Sequence, residues 1–320
     1  MTIRLAVTLG DPRGIGPEVA AAAGVRLRRE DAGVEVLMVG DAADPAPLRS
    51  TGLDHQPVGA FDGSQRSAGA AAGRAVELAV AMALEGRVDG VVTAPLHKPA
   101  LHEAGYTEPG HTELLQRLTG ASHVGMLMAA ERTRTGGALR VLLATTHLPL
   151  RAVPDRVTTP LLVAQTRLLH DALRQGWAIP APRLALCALN PHASDDGLFG
   201  DEEARVFRPA VAILRAGGVD VSDPLPADTV FGRALAGEFD AVVAPYHDVG
   251  MATFKTVSFG AGVNVTLGLP FPRTSPDHGT AFALAGRGRA DPSSMLAALR
   301  LAARLASPPP PPPGRSYSGP

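Results

Sequence analysis

The chain has 320 residues, enough to bury a substantial core as one large α/β unit or two lobes, so no structural metal is needed for stability. Lys and Arg number 30 against 31 for Asp and Glu, which leaves no global field to draw the protein to nucleic acid or an acidic membrane and makes a small molecule the expected partner. The single cysteine, Cys187, lies in an apolar run, excludes an intramolecular disulfide, and fits a packing role in a reducing compartment.

The opening stretch, Met1 to Gly10, is too short for a signal sequence or membrane span and reads as the first strand of a cytoplasmic protein. Short β-branched or leucine-rich runs predict strands at 3–9, 34–39, 88–93, 139–145, 183–189, 241–245 and 262–267. Helical spacing predicts helices over 65–86, where Ala75, Leu78, Ala79 and Met82 recur on one face, and over 156–175, 201–216 and 291–306. The Glu202-Glu203 pair is expected to complement the dipole at the start of its helix. This alternation predicts an α/β fold with a largely parallel, helix-covered sheet. The last residues, 307–320, are a proline run and a polar end with nothing apolar to pack, and read as a disordered tail.

The turn Gly10-Asp-Pro-Arg-Gly14-Ile-Gly16-Pro-Glu18 lacks the third glycine of the Rossmann pattern, and no P-loop occurs, so a standard dinucleotide fold is disfavoured. Pro17 suits a first helical turn. The amides of this turn either meet an anion or simply make a tight structural turn.

Three histidines, His147, His192 and His247, each stand just beyond an apolar run. The carboxyl ends of strands are where α/β folds bind ligands, so three imidazoles delivered there can converge on one divalent ion, with an open position for catalysis. Taken singly, each is a strand-end residue bonded to a carbonyl. A second glycine-rich span, Phe259 to Ala281, carries Asn264, Arg273, Asp277, His278 and Thr280, a set of groups suited to a phosphorylated ligand, with Lys255 just upstream. His111 and Thr112 fall at a helix start, where Thr112 also suits a plain cap.

In order along the chain, Gly10 to Glu18, Thr93-Ala-Pro-Leu-His-Lys98, Gly110-His-Thr-Glu113, Ala144 to Leu150, Leu189-Asn-Pro-His192, Pro224 to Thr229, Tyr246-His-Asp248 and Asn264 to Thr280 resemble the motifs of the 4-hydroxythreonine-4-phosphate dehydrogenase family of pyridoxal phosphate biosynthesis, over about residues 3–306. The resemblance implies an isocitrate/isopropylmalate dehydrogenase-like fold in which 1–306 form a single catalytic unit of two interleaved α/β lobes with the active site in the cleft between them. It implies NAD as cofactor, with NADP also compatible, held by His278, Gly279, Thr280 and Ala281. It further implies one divalent metal ion (Zn, Mg or Co) on His147, His192 and His247, the last contributed across a homodimer interface. His111, Thr112, Lys255, Asn264 and Arg273 would hold the substrate and its phosphate. Asp248 and Lys255 are the two candidate bases, and the residues do not choose between them. The family usually continues Gln-Gly after Tyr-His-Asp, whereas this chain reads Val249-Gly250. That departure admits a phosphorylated four-carbon sugar acid, 4-phosphoerythronate or 4-phosphothreonate, as an alternative substrate. A metal-dependent hydrolase or aldolase, or a non-catalytic sugar-phosphate-binding protein, are the readings that need no NAD.

Overall fold

The computed structural model describes residues 2–59, 61–258 and 260–307. Beyond Ser307 the proline-rich tail lies outside the described residues, as does Phe259. The strands are β1 (Ile3–Thr8), β2 (Val34–Val39), β3 (Asp54–Gln56), β4 (Gly90–Thr93), β5 (Gly125–Ala130) and β6 (Leu139–Leu143). They continue with β7 (Arg183–Cys187), β8 (Asp220–Leu225), β9 (Ala241–Ala244), β10 (Val263–Leu267) and β11 (Arg273–Pro276). The helices begin with α1 (Gly16–Glu30), α2 (Ala46–Arg49), α3 (Gln65–Leu84), α4 (Lys98–Glu103), α5 (His111–Thr119) and α6 (Val153–Arg156). After these come α7 (Thr159–Gly176), α8 (Arg208–Ala216), α9 (Ala227–Leu235), α10 (His247–Ser258) and α11 (Ser293–Ala306).

All the strands expected from β-branched runs are present. Those not expected have physical reasons to hide: β5 is Gly-Met-Leu-Met-Ala-Ala without a β-branched residue, and β11 is the polar Arg-Thr-Ser-Pro. β8 contains Pro224 and lies at a sheet edge, where a missing N–H is tolerated. The helix expected over 201–216 opens instead as a π-helical turn, Glu203–Phe207, before α8.

Among the described residues the strands join one sheet in the order β3-β2-β1-β4-β11-β10-β5-β6-β9-β7-β8. Pairing is parallel on both flanks, as expected. At the centre β10 runs antiparallel to β11 and β5, and β5 antiparallel to β6. The flank containing β1 and β4 therefore points opposite to the flank containing β6, β9 and β7. His147, His247 and His192 follow β6, β9 and β7, three neighbouring strands of one direction, so their loops leave the same edge of the sheet.

Strand alternation divides the core. Leu5 and Val7 of β1, Val92 of β4, and Val263, Val265 and Leu267 of β10 pack one face against α1, α7, α8 and α11. The other face carries two smaller cores, one around Ala6, Val39 and Val91 beneath α3 and α5, the other around Val141, Val242 and Ala244 beneath α9 and α10. Between them β10 presents Asn264 and Thr266, and β11, in register Asn264 to Ser275, adds Ser275 and Arg273. The polar side chains of β10 thus fall in the gap between two apolar cores.

Helix α3 has the length and apolar composition of a membrane span, with mean hydropathy 1.3. Its Ala75, Val76, Ala79, Val80 and Met82 nevertheless pack against the sheet. Ser64 caps it by accepting from Ser67 N at 3.1 Å. A Cβ at Gly69 would lie 1.9 Å from Ala100 O, and one at Gly73 2.2 Å from the Tyr106 ring, so these glycines set the distance between α3 and the segment containing α4.

At the end of β5, Glu131 accepts from Arg304 at 2.6 Å, Trp177 at 2.9 Å and Arg140 at 2.9 Å, fastening α11, α7 and β6 together. Partial burial alone would raise its carboxyl, but these donors outweigh it and hold the pKa at about 2. A depressed carboxylate contributes stability above its unfolded value of about 4.3, and that contribution is lost as pH falls through about 2. Glu131→Gln is expected to melt at a lower temperature than the parent at neutral pH, with the gap narrowing as pH falls from about 4.3 toward about 2. Trp177, the single tryptophan, reports the transition; a gap independent of pH would refute this account.

Candidate active site

The polar strip between the two smaller cores floors a cavity of about 980 Å³. Its walls come from the start of α5 with His111 and Thr112, Lys98 of α4, the loop after β6 with His147, and the loop after β11 with His278 and Gly279.

Arg273 is the central group. It is only 2% exposed, and its guanidinium donates to Thr266 Oγ1 at 2.8 Å and Thr93 Oγ1 at 2.5 Å. Its Nε has no partner, and among the described residues no carboxylate forms an ion pair with it. Burial pushes its pKa down to about 10, which still leaves it cationic at neutral pH. An unpaired buried cation is expensive unless an anion joins it. Other buried atoms on the same cavity also lack partners, among them His111 Nε2, Asn264 Oδ1 and His278 Nε2. Burial, Arg273 and Lys98 push the His111 imidazole well below its usual range, so the ring is neutral.

Thr112 lies inside the first turn of α5 and lines the cavity; it is not the cap, which is Gly110. Lys255, on α10, donates to Asp277 O at 3.0 Å and pairs with its carboxylate at 3.5 Å, so it reaches the cavity wall through Asp277 rather than lining it.

The rings of His147 and His247 lie side by side in one chain, 5.5 Å between centroids. This follows from their strands, since β6 and β9 are hydrogen-bonded neighbours. His247 Nδ1 is 2.7 Å from Asp248 Oδ1; a carboxylate only accepts, so the ring donates there and keeps Nε2 free. Burial, Lys98 and His247 push the His147 imidazole down, favouring the neutral ring that ligates metals. His192 lies beyond β7, exposed, next to Phe199. Among the described residues no three His, Cys, Asp or Glu side chains are placed so as to hold a metal ion within one chain.

The backbone carrying His192 is unusual. His192, Ala193, Ser194, Asp195 and Asp196 all have positive φ, between 47° and 74°, and left-handed non-glycine residues cost about 1–2 kcal/mol each. Glu203 holds this turn. Its carboxylate, 2% exposed, accepts from Leu189 N and Asn190 N, both at 2.8 Å, from Asn190 Nδ2 at 2.9 Å, and from Ser194 Oγ. The expectation that Glu203 serves a helix dipole is therefore corrected: it is an internal ligand for backbone and side-chain donors. Cys187, behind it, is fully buried, and burial together with Glu203 raises its thiol to about 12, in keeping with a packing role.

The opening glycine turn uses its amides internally, which corrects its reading as a free anion cradle. Asp11 N donates to Pro95 O, Arg13 N to Asp11 Oδ1, Gly14 N to Asp11 O and Ile15 N to Thr280 O, each at 3.0 Å. The last of these docks the turn on the His278–Ala281 loop. There His278 Nε2 is buried without a partner, Gly279 faces open space, and Ala281 turns the chain at φ 43°.

Residues 23–302 match the model of the pyridoxal phosphate biosynthetic protein PdxA family. The chain belongs to the PdxA family. A 4-hydroxythreonine-4-phosphate dehydrogenase from Chromobacterium violaceum is 44% identical, over 94% of this chain and 96% of that protein. The crystal structure of the 4-hydroxythreonine-4-phosphate dehydrogenase from Klebsiella pneumoniae superposes with a TM-score of 0.83 at 38% identity, covering 96% of this chain and all of that one. A β-decarboxylating dehydrogenase from Thermococcus kodakarensis, 16% identical with a TM-score of 0.50 over 92% of this chain and 82% of that one, shares the fold. The expected fold class is thus present in this PdxA-family chain.

Three contributors escaped the sequence reading: Lys98 and Thr93, which stood in a quoted motif without a role, and Glu203. Strict alternation in Val263-Asn264-Val265-Thr266-Leu267 was the signal for the cavity floor. Inorganic phosphate is expected to raise the melting temperature of the parent by a few degrees and to leave that of Arg273→Met unmoved, because linkage stabilises only a chain that binds the anion. Equal shifts would remove Arg273 from the anion site.

Proposed function

We propose that this chain carries out the NAD-dependent, metal-assisted oxidation of 4-phosphohydroxy-L-threonine to 2-amino-3-oxo-4-phosphooxybutanoate, followed by decarboxylation to 3-amino-2-oxopropyl phosphate, in pyridoxal phosphate biosynthesis. The observation that carries this reading is the buried Arg273 guanidinium with no carboxylate partner, in one cavity with Lys98, His111, Thr112 and Asn264. The names of the relatives supply the substrate class.

Arg273 and Lys98 neutralise the substrate's phosphate, and binding energy far from the reacting carbon positions it. Asn264 Oδ1 accepts from a substrate N–H or O–H, and the neutral His111 ring supplies a further polar contact. The donor set fits a divalent ion: paired imidazoles with one ring oriented by Asp248, chemistry that suits Zn or Co better than Mg. The unpartnered His278 Nε2 beside the open Gly279 fits a nicotinamide dinucleotide on the His278–Ala281 loop. When bound, the ion supplies Lewis acidity at the substrate hydroxyl and carboxylate, and the nicotinamide accepts hydride. Asp248 and Lys255 are the two candidate bases: Asp248 orients His247, and Lys255 donates to Asp277 O and pairs with its carboxylate, so either releases that partner before it accepts a proton.

One chain gathers two of the three histidines, so the ligand set is completed by a second copy in a homodimer. We take the two oppositely directed flanks of the sheet as the two lobes, and the reducing cytoplasm as the compartment that suits the free Cys187. Val249, where the family usually has Gln, packs into the core beneath α9 and α10 and does not line the cavity. That placement favours the phosphohydroxythreonine substrate over a phosphorylated sugar acid.

NADH formation is expected to be faster with 4-phosphohydroxythreonine than with 4-phosphoerythronate or 4-phosphothreonate; the reverse order would reassign the substrate, and no NADH with any of them would favour hydrolase or aldolase chemistry. The subunit arrangement is read from mixed dimers of inactive variants. If His147 and His247 of one chain serve the same ion, His147→Ala mixed with His192→Ala restores one intact site per heterodimer, while His147→Ala mixed with His247→Ala restores none. Recovery only in the second mixture would place His247 across the interface.

A further inference from the structure

We infer that Glu203 is a positioning residue that presents His192 to the metal, acting through the left-handed turn His192–Asp196. The inference rests on the reading of His192 as a metal ligand. Three independent features support it. First, the carboxylate is almost completely buried, yet it faces no cation among the described residues; its partners are donors just beyond β7 and within the turn. Second, those donors bracket His192: Leu189 N and Asn190 N precede it, and Ser194 Oγ follows it, so one rigid group fixes both sides of the residue. Third, none of the turn's five residues with positive φ is glycine, and the backbone bond within it, Asp195 N to His192 O, is long at 3.3 Å, so support from outside the turn is needed to hold it left-handed.

The surroundings reinforce the clamp. Asn190 Nδ2 is shared between Glu203 and Glu202, at 2.9 and 2.7 Å. Gly200, at φ 129°, lets the chain return close enough for this, since a Cβ there would lie 2.7 Å from both Asn190 Nδ2 and Glu202 Oε2. Glu203 itself opens the π-helical turn before α8, and such turns recur at functional sites. A ligand whose ring is exposed and touches Phe199 rather than a hydrogen-bonding side chain depends on its backbone for direction. Glu203 supplies that direction from the layer behind it, as partners of ligating groups do elsewhere.

The test is Co(II) titration of the chelator-treated full chain, reading affinity and the visible d–d spectrum, with Trp177 emission as the check on folding. His192→Ala is the reference and should lose most Co(II) affinity; if it binds as the parent does, His192 is no ligand and the inference falls together with the metal reading, an outcome distinct from failure of the clamp alone. Glu203→Gln keeps the shape but replaces one acceptor oxygen with an NH2 facing the donors. It should weaken Co(II) binding by about 10- to 100-fold and alter the d–d band while keeping native Trp177 emission. Parental affinity and spectrum in folded Glu203→Gln would overturn the proposal. Should that variant fail to fold, Ser194→Ala decides by the same readouts, since it removes one donor and leaves the carboxylate. A loss of affinity with an altered band supports the clamp, and parental binding overturns it.

Discussion

The constraint around which this molecule is arranged is a guanidinium buried without a counter-ion at the centre of a sheet. Arg273 has neutral hydroxyls for two of its nitrogens and nothing for the third. Hydroxyl partners fix its orientation while leaving its charge uncompensated, so the cavity above it has a strong preference for an anion. Such a group would not be tolerated within either apolar core. The reversal of strand direction at β5 and β10 creates the place for it, because it separates the two helix-covered flanks and leaves polar alternation on the intervening strands. The uncompensated guanidinium and the mixed sheet centre are therefore one feature seen at two scales.

The same reversal explains why the histidine edge is distinct. β6, β9 and β7 share one direction and deliver their following loops together, while β4 leads to α4 and α5 from the opposite flank. The cavity between collects Lys98 and His111 from one flank and His147 from the other. Oxidation of a phosphorylated hydroxy acid needs both kinds of group, a remote anion clamp and donors near the reacting carbon, and neither flank alone contains them.

Much of this was legible in the chain. The flanking strands were readable because parallel, doubly covered strands are continuous Val, Leu and Ala runs, as in Val34-Glu-Val-Leu-Met-Val39 and Ala241-Val-Val-Ala244. The centre was harder: β5 has no β-branched residue, and β11 is polar, with Arg273 and Ser275 on the cavity and Thr274 bonded to Ala298 O of α11. His147 and His247 were found from strand-end position alone, and their contact follows from adjacent strands. What could not be read was partnership. Whether a carboxylate such as Glu203 faces solvent at a helix start or turns inward to the end of β7 depends on tertiary contacts, and the π-helical turn that begins there has no period to detect. The internal use of the Gly10–Gly16 amides was partly hidden for the same reason, since the acceptors of Asp11 N and Ile15 N lie at Pro95 and Thr280, far along the chain.

The two glycines of α3 are a liability to the helix and a spacer for the protein. In isolation each weakens α3 by about 1 kcal/mol relative to alanine, and a sequence-based effort to make the protein more heat-resistant would replace them first. Gly69 lies against the backbone of α4, two residues past Lys98, and Gly73 against the Tyr106 ring beyond its end. A methyl at either position would wedge that segment away from the sheet and take the lysine with it. The helix is thus held below its own optimum by a neighbour that faces the cavity, and adaptation to heat in this lineage has to be found on other surfaces.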